Sequence, residues 1–241
     1  MAWSARSAAV SAVAAELLRP LTHRSFFARR TDVVARELLG VWLLRRTAEG
    51  LTGGPIVETE AYGGPEDLAS HARAGLTART SPMFGPVGHA YVYLVYGMHE
   101  CLNVVAYGGA EAGAVLIRAI EPRVGIEVMR ARRAGRTDPV ERLAAGPARL
   151  CQALAVTRQL TGHDLLSGEE LWLARPAGGR DRSGVGPDVE VGPRVGVDYA
   201  GDGWSERPWR FWIAGNQSVS KLSRTGKARP GPSRGVQELE S

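Results

Sequence analysis

Residues 89–107, HAYVYLVYGMHECLNVVAY, decide the fold of this chain. Two runs rich in valine, leucine and tyrosine, 89–96 and 99–107, lie on either side of Gly97 and Met98. β-Branched and aromatic residues favour strands, and a glycine between two such runs marks a tight turn. The stretch therefore predicts a β-hairpin.

The segments outside the hairpin add further strands and helices. Thr31 can cap a helix that ends at Gly40, and Pro147 occupies a favoured first position of another helix. We predict strands at 41–47, 55–62, 113–121, 195–201 and 209–215, and helices at 31–40, at 123–133 and from 147 onward.

Composition sets the limits of the predicted domain. Residues 1–20 are small and weakly apolar, which indicates a flexible N-terminal extension rather than a secretory signal. Residues 224–241 have the composition of a disordered tail, and the Gly/Pro/Asp/Arg-rich residues 175–193 indicate a surface loop. Because no repeat or linker interrupts the rest, we predict one domain over residues 21–223.

The overall composition excludes several classes of protein. The chain has 241 residues, 44% hydrophobic and 23% charged, which is ordinary for a soluble globular protein. No apolar run approaches the roughly 20 residues of a membrane span. Cys101 and Cys151 are too few for a disulfide scaffold or a four-cysteine zinc site. The sequence also lacks Cys-x-x-Cys, His-Glu-x-x-His and a phosphate-binding loop, which argues against a metal enzyme or a nucleotide hydrolase.

Arginine supplies almost all of the positive charge. Lysine and arginine together number 30 and the net charge is +5, yet the only lysines are Lys221 and Lys227. Between Arg118 and Arg158, nine arginines face four acids, so this stretch matches the net charge of the whole chain. It indicates either a solvated helix face or a surface for a polyanion. A mechanism that needs a lysine amine within the first 220 residues is excluded.

Two acids and a tyrosine share one face of the predicted strand in residues 56–62, IVETEAY. Side chains alternate along a strand, so Glu58, Glu60 and Tyr62 point the same way, with the two glutamates about 6.6 Å apart along the backbone. Acidic residues are unfavourable within strands and need a reason. Three interpretations stay open: an exposed sheet edge, a general base beside an aromatic pocket, or the carboxylate pair of a glycoside hydrolase.

Tyrosines and one histidine provide further candidates. Tyr91 and Tyr93 share a strand face, while Tyr96 directly precedes the turn glycine. Core packing is the simplest role of strand tyrosines, but an aromatic side chain at a hairpin tip can also project into a partner, as wedges do in deformed DNA. His71 is either a hydrogen-bonded structural residue or part of a site.

Taken together, these segments resemble the alkyladenine, or 3-methyladenine, DNA glycosylase family. Six stretches carry the resemblance, in the family's order and over most of residues 30–215. They are VARELLG at 34–40, IVETEAYGGPEDLASHARAG at 56–75, MFGPVGHAYVYLVYGMHECLN at 83–103, VLIRAIEP at 115–122, AGPARLCQALAV at 145–156 and PRVGVDYAG at 193–201. The resemblance implies an α+β fold, a single mixed domain with a curved antiparallel sheet flanked by helices and a protruding β-hairpin. It also implies that no metal and no organic cofactor is used.

The resemblance gives roles to the residues of the predicted pocket. Glu60 matches the family's general base, and Arg118 matches the arginine that holds the attacking water with Glu60 and a DNA phosphate. Tyr62 and Tyr93 match aromatic walls of the base pocket, with His71 beside them.

Further residues take roles in specificity and DNA contact. By resemblance, Asn103 disfavours the 2-amino group of guanine, the backbone carbonyl of Val195 contacts the water, and Tyr96 fills the gap left by the extruded nucleotide. Arg149 and Arg158, which flank the segment RLCQALAV, are our candidates for contacts with the DNA backbone. Such contacts make affinity fall with salt.

The implied activity is base-excision repair. A damaged base must leave the stack before an enzyme can reach it. The resemblance implies hydrolysis of the N-glycosidic bond of alkylated or deaminated purines by a glutamate-activated water, with 3-methyladenine as the main class and ethenoadenine and hypoxanthine as further candidates. Because lysine is scarce, we expect no Schiff base and hence a monofunctional enzyme that leaves an abasic site.

The expected partner is double-stranded DNA that contains damaged purines. We expect a monomer without membrane contact, located in the cytoplasm and associated with the nucleoid in a bacterium. Two rivals stay open, a catalytically silent binder of damaged DNA with the same fold and an O-glycoside hydrolase that uses Glu58 and Glu60.

Overall fold

The structure, a computed structural model, describes residues 18–134, 137–177 and 187–221. Strands and short helices alternate irregularly in one domain, which confirms the predicted α+β class. The strands are β1 (Leu18–Pro20), β2 (Trp42–Thr47), β3 (Gly50–Tyr62), β4 (Ala90–Val95), β5 (His99–Val105), β6 (Ala114–Ile120), β7 (Leu171–Pro176), β8 (Val189–Gly192) and β9 (Arg210–Ile213). The helices are α1 (Thr31–Glu37), α2 (Ile126–Arg132) and α3 (Pro147–Leu154).

The 13-residue strand β3 organises the antiparallel sheet. Its first half pairs with β2 and its second half with β6 and β9, within the order β1-β7-β2-β3-β6-β5-β4. Register shifts between Ile56 and Glu58, and between Glu58 and Thr59, lie where β3 changes partners. Such irregularities bend a strand and re-aim its side chains, so the sheet curls next to the two glutamates.

The main hydrophobic core lies between the helices and the strands β3, β5 and β6. Val34 of α1 and Leu150 and Leu154 of α3 are fully buried in it. The Thr59 hydroxyl donates to the carbonyl of Ala35, 2.8 Å away, which ties α1 to β3 at the end of the strand that carries the acids. The core therefore fixes the strand from which the predicted site projects.

The predicted hairpin is confirmed. Strands β4 and β5 pair from Ala90 opposite Val104 to Val95 opposite His99, which leaves a three-residue loop. Gly97 has a φ of 71°, a left-handed conformation that glycine adopts without steric cost. Tyr96 and Met98 of this loop are exposed, so the hairpin protrudes with its loop in solvent.

Two sequence predictions in the last third of the chain are wrong. Residues 195–201 form no strand but a turn followed by a 3-10 helix, Asp198–Ala200, because Gly196 and Gly201 both have φ of 74°. The predicted loop at 175–193 contains the strand β8, which is hydrogen-bonded to β9. The composition of the segment did not predict this pairing. Strand β7 was not predicted at all.

The predicted ends of the domain fall largely outside the described residues. Residues 1–17 and 222–241 are not described, nor are residues 178–186 of the predicted loop. Within the predicted extension, Leu18–Pro20 pair with β7, so the sheet begins before residue 21. In the described ranges, no helix combines the length and apolarity that crossing a membrane requires.

Candidate active site

A cavity of about 580 Å³ opens beside the hairpin. Its size lies within the range of roughly 300–1,000 Å³ that is typical of small-molecule pockets. Seven of the residues predicted for the site line it, namely Tyr62, His71, Tyr93, Tyr96, Asn103, Arg118 and Val195. Residues that are far apart in the sequence therefore meet in one cavity.

Glu60 lies fully buried behind the cavity wall. Its Oε1 accepts from the backbone N–H of Val195 at 2.7 Å and contacts Nη1 of Arg118 at 3.1 Å. Its Oε2 accepts from the hydroxyl of Tyr62 at 2.9 Å. A carboxylate offers about four lone-pair positions, so these three donors leave Oε2 able to accept one more. Full burial rules out an exposed sheet edge for this carboxylate.

Glu58 is also fully buried but has a different environment. Its Oε1 accepts from Nε of Arg118 at 2.8 Å, from Nε of Arg210 at 2.7 Å and from the hydroxyl of Ser220 at 2.8 Å, and its Oε2 accepts from the Ser220 N–H at 2.7 Å. Burial alone would raise the pKa of Glu58, but the two guanidiniums and these hydrogen bonds outweigh it and lower the pKa. The two guanidiniums hold Glu58 as an ionised carboxylate, which argues against the general-acid role that one carboxyl group of a glycoside hydrolase must fill.

Arg118 joins the two carboxylates. Its side chain is 8% exposed, and burial alone would lower the pKa of the guanidinium. The neighbouring charges of Glu60 and Glu58 outweigh burial and raise the pKa, so Arg118 stays a cation. Glu58, Glu60 and Tyr62 thus face one side of β3, as predicted, and Arg118 bridges them.

Aromatic side chains form part of the wall of the cavity. The rings of His71 and Tyr93 meet edge to face with centroids 4.5 Å apart, and those of Tyr91 and Tyr93 are 5.4 Å apart. Nδ1 of His71 is hydrogen-bonded to the Tyr91 hydroxyl at 3.1 Å. Burial, with help from Arg79 and Arg73, lowers the pKa of His71 to about 4, so its ring is neutral at pH 7.

The floor of the cavity includes Asn103 and Cys101. Nδ2 of the buried Asn103 donates to the carbonyls of Tyr91 at 3.1 Å and Cys101 at 3.4 Å, which fixes the orientation of its amide. Burial raises the pKa of the Cys101 thiol to about 11, so it is not a thiolate at neutral pH. Within the described ranges, no three His, Cys, Asp or Glu side chains gather to hold a metal ion.

Tyr96 stands at the rim of the cavity and is 89% exposed. Its φ of 52° lies in the left-handed region, which is uncommon for a residue with a large side chain. Because the ring is exposed, its display to solvent at the rim, rather than packing, accounts for this backbone conformation.

The two arginines predicted for the DNA backbone lie outside the cavity. Arg149 is half-buried and donates to the carbonyl of Arg142 at 3.3 Å. Arg158 is exposed, and its Nε lies 3.7 Å from Glu100, on the hairpin strand β5. Their proposed role remains a prediction.

Sequence reasoning missed a buried ion pair that supports the site. Arg194 and Asp67 are both fully buried and lie 2.6 Å apart, and the Arg194 guanidinium is 5.0 Å from the centre of the Tyr62 ring. Arg194 directly precedes Val195, so this pair fixes the segment whose N–H reaches Glu60. The pairing of residues more than a hundred positions apart leaves no local signal.

Comparison with known proteins adds an independent finding. The family model described as "Methylpurine-DNA glycosylase (MPG)" matches residues 25–217. A protein of Myxococcus xanthus named "Putative 3-methyladenine DNA glycosylase" is 46% identical over 86% of this chain and 96% of its own length. Proteins with the same name from Methanocella arvoryzae and Rhizobium meliloti are 46% and 48% identical, over 84% and 81% of this chain and 96% and 94% of their own lengths.

Proposed function

Because this chain belongs to the methylpurine-DNA glycosylase family, we propose that it excises alkylated or deaminated purines from double-stranded DNA. The proposed substrates are lesions of the 3-methyladenine class, with ethenoadenine and hypoxanthine as further candidates. The enzyme would leave an abasic site and act in base-excision repair.

Recognition would take place in the aromatic cavity. A nucleotide that rotates out of the duplex would place its base against Tyr62, Tyr93 and the neutral ring of His71. Stacking on aromatic faces contributes about 1–3 kcal/mol per base and tolerates many bases. Electron-rich faces also favour a positively charged alkylpurine over a neutral base. Asn103, with its amide held in place, would disfavour the 2-amino group of guanine.

The chemical step would use water as the nucleophile. Oε2 of Glu60 would take a proton from the water. The water oxygen would form a bond to C1′ of the sugar as the bond from C1′ to the base breaks. The bonding electrons leave with the base, so a cationic alkylpurine departs as a neutral molecule. A neutral lesion needs a proton from solvent and a hydrogen bond, for which the backbone N–H of His71 is the candidate. Arg118 stays charged throughout and would orient the water between Glu60 and a DNA phosphate.

Contacts outside the cavity would hold the duplex. Tyr96 would occupy the gap left by the extruded nucleotide and offset part of the cost of unstacking, which is a few kcal/mol. Arg149 and Arg158 would contact the phosphate backbone.

One observation carries this proposal: a buried Glu60–Arg118 pair lies directly behind an aromatic cavity whose rim holds the exposed Tyr96. A silent binder of damaged DNA would not need that pair. An O-glycoside hydrolase would need one carboxyl group as a general acid, and the two guanidiniums that pair with Glu58 oppose its protonation.

The test compares the wild type with Glu60→Gln on duplex DNA that contains 3-methyladenine or 1,N6-ethenoadenine. The change keeps the shape of the side chain and removes the base, so we expect release of free base to fall by about 10²–10⁴-fold. Glu169→Gln, at an exposed glutamate, is the matched control and should behave as the wild type. Binding without base release by the wild type would support the silent binder, and equal release by Glu60→Gln would overturn the proposed mechanism.

A further inference from the structure

The position of Arg118 depends on more than its contact with Glu60. Each of its three guanidinium nitrogens has its own partner. Nε donates to Glu58 at 2.8 Å, Nη1 lies 3.1 Å from Glu60, and Nη2 donates to the Ser220 hydroxyl at 3.4 Å. Arg118 is therefore held at three points, two of which are contacts with groups other than Glu60.

The Ser220 hydroxyl connects Arg118 with Glu58. It accepts from Arg118 and donates to Oε1 of Glu58 at 2.8 Å, while its backbone N–H donates to Oε2 of Glu58 at 2.7 Å. Arg210 completes the network, since its Nε donates to Glu58 and its Nη2 donates to the Ser220 carbonyl at 3.4 Å. A hydroxyl that both donates and accepts fixes the relative position of the two groups it joins.

Residues 218–220, which we call the strap, bring this serine to the site. Nη1 of Arg142 donates to the carbonyl of Val219 at 3.1 Å, and the N–H of Ser218 donates to Oδ1 of Asn216 at 2.8 Å. The match to the family model ends at residue 217, so the strap lies just beyond it.

We propose that Ser220 and Glu58 are positioning residues that lock the Arg118 guanidinium against Glu60. This inference rests on the proposed function, in which Arg118 and Glu60 hold the attacking water. A group displaced by about 1 Å from its productive position can lower the rate of a reaction on the order of 10²-fold. Loss of the strap contact would therefore slow the chemical step while leaving the base pocket and the DNA surface intact.

The strap supplies its own matched control. Ser218 is fully buried, and its hydroxyl has no hydrogen-bond partner among the described residues. Ser220→Ala and Ser218→Ala therefore remove the same atom two positions apart, and only the first removes contacts to Arg118 and Glu58. Ser220→Thr keeps the hydroxyl and tests rescue.

The kinetic experiment measures single-turnover release of base and the affinity for lesion DNA. For Ser220→Ala we expect the rate to fall about tenfold, the loss that corresponds to one hydrogen bond to a charged group, with unchanged affinity. Ser218→Ala and Ser220→Thr should stay within about twofold of the wild type, far less than such a loss. Equal rates for Ser220→Ala and Ser218→Ala would overturn the proposal, as would a loss confined to affinity.

Glu58→Gln tests the other positioning residue. The amide keeps the volume of the side chain but removes the buried negative charge that pairs with Arg118 and Arg210. We therefore expect a larger loss of rate than for Ser220→Ala. If Glu58→Gln fails to fold, the serine variants still decide the proposal.

A second readout does not depend on activity. ¹⁵N NMR of the guanidinium groups, with Arg118→Lys to assign the signal, reports whether rotation about the Nε–Cζ bond of Arg118 is hindered. We expect hindered rotation in the wild type and Ser218→Ala, and faster rotation in Ser220→Ala. An inactive wild type with this NMR pattern would refute the proposed function and retain the positioning network, whereas identical NMR behaviour of both serine variants would refute the network.

Discussion

At the scale of single residues, His71 is neutral where an isolated histidine would be partly protonated. Burial removes its ring from water, and Arg79 and Arg73 oppose a further positive charge, so the pKa falls from 6.5 to about 4. A neutral ring beside Tyr93 does not repel a cationic base. The charge state of His71 is therefore compatible with the proposed substrate, a cationic alkylated purine.

We predict that His71 does not titrate at physiological pH. Its ring signals, followed by ¹H–¹³C NMR, should stay constant from pH 8 down to about 5 and change with a midpoint near 4. A midpoint near 6.5 would show that burial and the two arginines do not hold the ring neutral.

The same shift predicts a pH dependence of stability. The unfolded chain binds a proton at His71 below about 6.5 and the folded chain only near 4, so acidification through this window favours unfolding. His71→Asn should therefore flatten the fall in the free energy of unfolding between these pH values, as measured by urea denaturation at each pH. An unchanged slope would contradict the lowered pKa.

Residue types and alternation predict that Glu58 and Glu60 share a face, but not which of them is available. That difference depends on donors that lie more than 130 positions away, Val195 for Glu60 and Ser220 for Glu58. No local pattern records such contacts, so only the fold distinguishes Glu60, with three donors and one guanidinium partner, from Glu58, with four donors and two guanidinium partners.

At the scale of elements, the β4–β5 hairpin was predicted from the sequence, but its backbone strain at Tyr96 was not. Its β-branched and aromatic residues on either side of Gly97 predicted the turn directly. The left-handed φ of Tyr96 was not predictable, since aromatic residues avoid that region at a cost of roughly 1–2 kcal/mol. The paired strands hold the tip in that conformation.

Because of this strain, we expect a substitution of Tyr96 to affect stability and activity differently. Tyr96→Gly removes the steric cost but adds the conformational entropy of glycine to the unfolded chain, so the free energy of unfolding should stay constant or rise by up to about 1 kcal/mol. Without the ring, release of base from duplex DNA should fall about tenfold or more, because part of the cost of unstacking is no longer offset.

Two controls isolate the role of the ring. Tyr96→Phe keeps it and should retain activity, and a lesion in single-stranded DNA, which needs no extrusion from a duplex, should be cleaved by Tyr96→Gly nearly as fast as by the wild type. Equal losses on both substrates would argue against a wedge.

Elsewhere, element predictions failed where pairing or backbone conformation overrides composition. Residues 195–201 have the composition of a strand, yet two left-handed glycines turn the segment so that Val195 reaches Glu60. Strand β8 lies at the end of a Gly/Pro/Asp/Arg-rich segment and is formed by its pairing with β9. The first of these two segments, residues 195–201, lies at the candidate site.

At the scale of the whole molecule, distance along the chain is a poor guide to distance from the site. The scarcity of lysine supported water as the nucleophile because both lysines come late in the sequence. The fold brings Ser220 into contact with Arg118, and Lys221 is the next residue. Lys221 is exposed and is not among the residues that line the cavity, so its position still favours water, although its place in the sequence alone does not.

Borohydride trapping tests this last point. A lysine nucleophile would form a Schiff base with the sugar, which borohydride reduces to a stable covalent complex, whereas hydrolysis by water leaves nothing to trap. We expect no covalent complex and no strand cleavage from the wild type. We also expect an unchanged rate of base release from Lys221→Gln/Lys227→Gln, a chain without any lysine. A complex that forms with the wild type and disappears in this variant would assign the chemistry to a lysine, and one that persists would point to the N-terminal amine. Either complex would overturn the monofunctional mechanism, because the glutamate-activated water at Glu60 requires that no amine of the protein becomes bonded to the sugar.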